Sequence, residues 1–120
     1  MHKLRVACPC CGLTTLAGRS LYGICLVCWW EDDGQDDADA DEVRGGPNHD
    51  YSLTAARANY RKHGHMYDSG EGIMVVERPS PERQALVKYA LSVTRGEQPL
   101  DMTRLTDLMQ RDYDARLGAR

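Results

Sequence analysis

The residues of this chain best suited to chemistry are five cysteines, which all lie within its first 28 residues: Cys8, Cys10, Cys11, Cys25 and Cys28. Four of them form two CxxC pairs, which thirteen residues separate. Zn²⁺ prefers four soft ligands in a tetrahedron, and a tight turn that carries two thiolates supplies half of that set. The spacing therefore predicts one structural zinc ion per chain, with iron as a less favoured alternative. The predicted ligands are Cys8, Cys11, Cys25 and Cys28.

The residues around the two pairs agree with this interpretation. Pro9 fixes φ inside the first turn. Gly12 follows the second ligand, at a place where a knuckle commonly needs a positive φ. Gly23 precedes the second pair, and we expect it to have a similar role. An odd number of cysteines without an export signal also disfavours a disulfide framework.

The same segment permits a second interpretation, thiol–disulfide exchange. Residues 8–11 read Cys-Pro-Cys-Cys and so contain a CPxC motif. In redox proteins such a motif lowers a thiol pKa at a helix N-terminus. Gly12 follows at once and the next residues are predicted to be extended, so we expect no helix there. Cys10 is left over from the zinc set. We expect a reduced thiol that binds nothing, with a reactive thiol or a ligand that exchanges with Cys11 as alternatives.

An acidic stretch, residues 31–42, follows the last cysteine. It contains eight acids and no base, and without those charges the net charge would change from −3 to +5. Such a run is usually a solvated loop. Beside two tryptophans it also suits a basic protein partner, because opposite charge steers association. The residues that we nominate for such a surface are Trp29, Trp30, Glu31, Asp32, Asp33, Asp36 and Asp37.

The elements that must position these residues are short. Strands are predicted over 4–7, 13–16, 20–24 and 73–77. Helices are predicted from Ser52 to His63-Gly64, from Ser80-Pro81 to Arg95-Gly96, and from about Asp101 to Leu117. The sequence thus predicts an α+β fold, in which a zinc-ribbon-like β module with two CxxC knuckles packs with about three α-helices. We expect one domain over 1–120, divided into a knuckle ribbon (1–34), an acidic and turn loop (35–50) and a helical body with one short strand (51–120).

Composition sets limits on function. Only 7% of the residues are aromatic and none is Phe, so the core is thin and a metal would help to hold it together. A net charge of −3 disfavours a generic nucleic-acid binder. No segment approaches the roughly 18 apolar residues of a membrane span, and residues 1–8 lack the apolar stretch of a signal peptide. We therefore expect a soluble, cytoplasmic protein.

Three blocks of residues, in order, resemble the bacterial cysteine-rich CPCC family over residues 7–64. They are Cys8-Pro9-Cys10-Cys11-Gly12, then the segment from Ile24-Cys25 to Asp33-Gly34, then Gly45-Gly46-Pro47-Asn48 with Ser52-Leu53 and Asn59-Tyr60. The resemblance implies a rubredoxin-like or zinc-ribbon knuckle domain with the same four cysteines as ligands. Leu26 departs from the pattern, because family members often have Pro there. The family has no established activity, so the resemblance concerns fold and metal rather than function.

These observations favour a zinc-stabilised module for protein interaction. Its most specific form is an immunity or antitoxin-type inhibitor of a basic toxin. A site closed by four cysteines leaves no position for a catalytic water, which disfavours an enzyme without excluding one, and no catalytic residue is assigned. One alternative is a thiol-redox or other enzyme that uses Cys10 or His49. The other is a zinc ribbon that binds nucleic acid through basic residues such as Arg57 and Arg61, which the overall charge disfavours. The sequence does not specify the oligomeric state.

Overall fold

The computed structural model describes residues 5–69 and 71–118, which form an α+β fold as the sequence predicts. The chain divides into two compact units, Met1–Asp68 and Ser69–Arg120. Two strands, β1 and β2, are followed by two short 3₁₀ turns and four helices, α1 to α4. In chain order the elements are β1 (Val6–Ala7), β2 (Thr14–Leu16), the turns Asp37–Asp39 and Gly46–Asn48, α1 (Leu53–His63), α2 (Met74–Glu77), α3 (Pro81–Thr94) and α4 (Met102–Gly118).

The sheet of the first unit is a two-stranded antiparallel ribbon, in which Val6 pairs with Leu16 and Ala7 with Thr14. Two of the predicted strands are thus present, although Leu4 of the first lies outside the described residues. The prediction of a third strand over 20–24 is wrong. Only an isolated bridge between Ile24 and Glu31 forms there. The physical reason is local: residues 20 and 22 have φ of 62° and 57°, which is incompatible with extended backbone.

Helix α1 begins and ends where the sequence predicts. The Ser52 hydroxyl caps its N-terminus by accepting a hydrogen bond from the Ala55 N–H at 3.0 Å. Gly64 closes the C-terminus with φ of +82°, a left-handed conformation that glycine adopts without strain. The buried residues Leu53 and Tyr60 are seven residues apart and therefore lie on the same face of the helix. They are part of the buried core of this unit, as is the fully buried Trp30.

The second unit contains helices α3 and α4, which pack against each other. Helix α3 has Pro81 in its first turn, and its Ser80 cap accepts from the Arg83 N–H at 3.0 Å. The Tyr89 hydroxyl accepts a hydrogen bond from the Asp101 N–H at 2.9 Å and so fixes the connection to α4. Met102 is exposed, and it lies at the very start of α4. No helix in the described part of the chain is both long enough and apolar enough to cross a membrane.

The strand predicted over 73–77 is wrong, because these residues form the short helix α2. The apolar run Ile73-Met74-Val75-Val76 has the composition of a strand. A strand also needs a partner for its backbone N–H and C=O groups. The described residues of the second unit contain no other strand, so a helical turn, which pairs these groups internally, is the alternative that forms.

We expect Leu86→Ala to lower the free energy of unfolding by about 2–5 kcal/mol, because Leu86 is 0% exposed and the shorter side chain leaves a cavity in the core. Leu100→Ala is the matched control, since Leu100 is 36% exposed and should cost under about 1 kcal/mol. Urea unfolding followed by far-ultraviolet circular dichroism measures both. Equal losses for the two variants would contradict the assigned core.

Candidate metal centre

Four cysteine sulfurs converge on one point of the first unit. The Sγ atoms of Cys8, Cys11, Cys25 and Cys28 lie within 4.8 Å of one another, and all four residues are buried. The Sγ atoms of Cys8 and Cys28 are 3.7 Å apart, as are those of Cys11 and Cys25. A tetrahedral ion with metal–sulfur bonds of about 2.3 Å places its sulfurs roughly 3.8 Å apart. The four cysteines are therefore positioned to bind a metal ion.

The two CxxC knuckles share one backbone plan. In each, the N–H of the first cysteine donates to the carbonyl five residues later. The distance is 2.8 Å from Cys8 to Leu13 and 2.9 Å from Cys25 to Trp30. These bonds close each turn into a loop of fixed size, so that both sulfurs of a pair face the same side.

A second shared feature is a left-handed residue directly after each pair. Gly12 has φ of 81° and donates its N–H to the Cys8 carbonyl at 2.8 Å. Its counterpart is Trp29, which has φ of 73° and donates to the Cys25 carbonyl at 2.9 Å. The expectation for Gly12 is confirmed. The role given to Gly23 is wrong, because the second knuckle places this conformation after the pair, on a tryptophan.

Hydrogen bonds to sulfur complete the knuckles. The Cys10 N–H points to the Cys8 sulfur and the Val27 N–H to the Cys25 sulfur, each at 3.4 Å. The Thr15 hydroxyl donates to the Cys25 sulfur at 3.0 Å. Such donors stabilise negative charge on sulfur, which suits thiolates rather than neutral thiols.

The electrostatics of the cluster also favour a cation. Hydrogen bonding to Cys25 raises the pKa of Cys11 well above its ordinary value, and Cys28, Cys8 and burial add to the effect. Burial opposes ionisation of Cys25, but hydrogen bonds from Cys11, Cys28 and Cys8 outweigh it and lower the pKa of Cys25. Four buried thiols this close do not all ionise by themselves. A divalent ion supplies the counter-charge that removes their protons, and this donor set fits it.

Other parts of the unit hold the knuckles in place. The Arg57 side chain on α1 donates from Nε to the Pro9 carbonyl at 2.8 Å. After α1, the N–H of buried Met66 donates to the Cys28 carbonyl at 2.9 Å. Helix α1 and the segment after it therefore contact both knuckles, although they contribute no metal ligand.

The beginning of the acidic stretch is part of this framework. Asp32 is fully buried, and its Oδ2 accepts from Arg19 Nε at 2.9 Å and from the Ser20 N–H at 2.7 Å. Its Oδ1 accepts from the Gly34 N–H at 3.1 Å. A buried carboxylate is stable when it is paired and hydrogen-bonded in this way. Asp32 thus fixes the segment between the knuckles to the segment that follows them.

Arginines pair with several further acids. Arg19 contacts Asp36 at 2.6 Å, and its hydrogen bond lowers the pKa of the Asp36 carboxyl. Arg57 contacts Asp37 at 2.8 Å, and Arg44 pairs with Asp39. Much of the acidic stretch is therefore folded back onto basic side chains of the same unit. The expectation of a simple solvated loop therefore does not describe these acids, because they form ion pairs within their own unit.

The structure places the nominated partner-binding residues in three environments. Trp30 and Asp32 are fully buried and belong to the interior of the unit. Asp36 and Asp37 are exposed. The remaining three, Trp29, Glu31 and Asp33, are partly buried.

The role of Asn48 was missed by sequence reasoning. This buried side chain accepts from the Glu31 N–H at 3.0 Å and donates to the Glu31 carbonyl at 2.7 Å. The Asn48 side-chain amide therefore forms the two hydrogen bonds with Glu31 that a backbone peptide group of a neighbouring strand would form. The available signal was an asparagine directly after the Gly45-Gly46-Pro47 turn, because asparagine side chains in turns commonly hydrogen-bond to the backbone.

Cys10 and His49 are not brought into the site as ligands. Cys10 is buried, and its thiol contacts Cys28. Burial raises the pKa of Cys28, and the contact with Cys10 adds to the effect. His49 is exposed. In the described residues the four cysteines form the one group of three or more Cys, His, Asp or Glu side chains close enough to share an ion. No helix begins at Cys8–Cys11, as predicted.

Comparison with known proteins agrees with this geometry. A family model described as "Cysteine-rich CPCC" matches residues 6–82, which is more than half of the chain. The match extends beyond the 7–64 segment of the resemblance and reaches into residues 73–82, which that resemblance left out. No curated protein and no solved structure matches the chain.

We expect Cys8→Ser to lose the bound metal and to unfold the first unit, because metal binding and folding are linked in sites of this size. The matched control is Cys10→Ser, which should keep one metal ion per chain. Elemental analysis gives the metal content, and near-ultraviolet circular dichroism of Trp29 and Trp30 reports on folding. Loss of metal from the Cys10→Ser protein would overturn the ligand assignment.

Arg19→Met should leave the buried Asp32 carboxylate without its ion pair. We expect a loss of roughly 2–4 kcal/mol in unfolding free energy, less than for a wholly buried pair because Arg19 is partly exposed. Lys62→Met, on the exposed side of α1, is the control and should be near neutral. Chemical denaturation followed by tryptophan fluorescence measures the difference. An Arg19→Met protein as stable as the control would show that Asp32 does not depend on this contact.

Proposed function

The chain belongs to the cysteine-rich CPCC family, and from this premise we propose that it binds one zinc ion and acts as a zinc-stabilised module for protein interaction. The observation that carries the proposal is the closed four-sulfur site. All four ligands come from the protein and are buried, and this is the arrangement of structural zinc rather than of catalytic zinc, which keeps one position open. The ion would crosslink the two knuckles and hold the adjacent segments rigid.

One of those rigid segments supports a role in binding. The apolar loop, residues 20–24, connects β2 to the second knuckle and exposes Leu21, Tyr22 and Ile24 by 70%, 59% and 52%. Exposed apolar groups this close together are typical of interaction sites. The loop is held by the Tyr22 N–H, which donates to the Asp32 carbonyl at 3.0 Å. A surface fixed in advance binds at a lower entropic cost than a mobile one.

The charge of the same unit favours a basic partner. The acidic stretch has eight acids, and within the described residues three arginines, at positions 19, 44 and 57, pair with them. The acids of the stretch therefore outnumber their arginine partners by five, which leaves a net negative charge. The Asp37 side chain is 87% exposed even in its ion pair. An inhibitor of a basic toxin, of the immunity or antitoxin type, is the most specific form of this proposal.

The test is native mass spectrometry of the protein isolated from its own host without chelators. We expect one zinc per chain and a stoichiometric partner that dissociates as salt concentration rises. The double variant Leu21→Ala/Tyr22→Ala should keep its zinc and bind the partner at least tenfold more weakly. Leu100→Ala, which changes an exposed leucine of the other unit, should bind like the unaltered protein.

Two results would contradict the proposal. Iron in place of zinc would overturn the metal assignment. A partner that binds the Leu21→Ala/Tyr22→Ala protein as tightly as the unaltered chain would show that the apolar loop is not the binding surface.

A further inference from the structure

The second unit contains a cavity that the metal centre does not explain. Its volume is about 360 Å³, within the range of about 300–1,000 Å³ that is usual for small-molecule sites. Residues of α2, α3 and α4 line it together with the caps beside them. They are Met74, Val75, Arg78, Ser80, Arg83, Asp112, Ala115 and Arg116.

Asp112 is the unusual member of this lining. It is 1% exposed, and neither carboxylate oxygen has a hydrogen-bond partner in the described part of the chain. Arg83 Nη1 and Arg116 Nε each form a long ion pair with Oδ2 at 4.0 Å, which is beyond the roughly 3.2 Å of a hydrogen bond. A buried carboxylate without donors is costly, so a group that donates to it from the cavity would bind favourably.

The electrostatics of Asp112 agree with the geometry. Burial raises the pKa of the Asp112 carboxyl above its ordinary value, and the negative charge of Glu82 adds to the effect, although Arg83 and Arg116 act in the opposite direction. The neighbouring cations therefore compensate only part of the cost of taking this carboxylate out of water. A donor in direct contact would supply what is missing.

The cations of the cavity determine what else its ligand must carry. Arg78, Arg83 and Arg116 line the cavity with three positive charges, and Asp112 lines it with one negative charge. Glu82 adds a negative charge close enough to act on Asp112. A simple amine would be attracted by Asp112 and repelled by the guanidinium groups. A ligand that also carries a carboxylate satisfies both, because guanidinium groups bind carboxylates through paired N–H donors.

The remaining wall is apolar and comes from Met74, Val75 and Ala115. We propose that this cavity binds an α-amino acid with an apolar side chain. The ligand ammonium donates to Asp112, the carboxylate accepts from Arg78 and Arg116, and the side chain packs against Met74 and Val75. This assignment uses the carboxylate, the guanidinium groups and the apolar wall of the cavity. It does not depend on the metal or on the proposed partner.

The experiment is a titration of the full, metal-loaded chain followed by ¹H–¹⁵N nuclear magnetic resonance. The probes are L-leucine, 4-methylpentanoic acid, which lacks the amino group, and 3-methylbutylamine, which lacks the carboxylate. We expect saturable shifts with L-leucine at residues lining the cavity. Each analogue should bind at least tenfold more weakly, a difference of about 1.4 kcal/mol.

Two variants test the residues themselves. Asp112→Asn preserves the shape of the side chain and should weaken L-leucine binding at least tenfold. Arg78→Gln should also weaken L-leucine binding at least tenfold. Because Arg78 is exposed, this variant should fold, and it tests the proposal even if the Asp112→Asn protein does not fold. Lys88→Gln, on an exposed position of α3 outside the cavity, is the matched control and should bind normally.

Three outcomes would overturn the proposal. The first is the absence of saturable shifts with L-leucine. The second is equal binding of L-leucine and either analogue, which would remove the need for both charged groups. The third is unchanged L-leucine affinity in the Arg78→Gln protein or in a folded Asp112→Asn protein.

Discussion

Four sulfur atoms held within 4.8 Å of one another are the constraint on which the first unit depends. The strands of this unit are two and three residues long, too short to stabilise a ribbon by their own hydrogen bonds. The sulfurs bring the two knuckles together at the place where a larger protein would have a core. The rest of the unit then packs around the cysteine cluster: helix α1, the fully buried Trp30 and the segment after the second knuckle.

The buried Asp32 extends that order outward from the metal centre. Its carboxylate accepts three hydrogen bonds, which fix the connection between the knuckles to the segment that leaves them. Gln35, also fully buried, donates to the carbonyls of Asp39 and Glu42 and so folds the acidic stretch into a closed loop. Residues that are polar in the sequence therefore act here as interior structure, because each finds partners in the folded chain.

The sequence predicts the parts of this molecule that depend on local signals. The CxxC spacing, the Ser52 and Ser80 caps and the glycine at position 64 each have a mechanism within a few residues, and the structure places each of these features as expected. Errors occur where the outcome depends on distant residues. The segment 73–77 has strand composition but no neighbouring strand among the described residues of its unit, and it forms α2 instead. The burial of Asp32 depends on Arg19, thirteen residues away, and a charge run read by itself does not reveal it.

The left-handed backbone after each CxxC pair has a consequence for how such sites are recognised. One knuckle places glycine at this position and the other places tryptophan, yet the three hydrogen bonds of each turn are the same. The two knuckles thus share one backbone conformation although their sequences differ at every position of the CxxC turn except the cysteines. A search for that form, using donor and acceptor positions instead of residue types, would group this centre with knuckles in chains whose sequences have diverged beyond alignment.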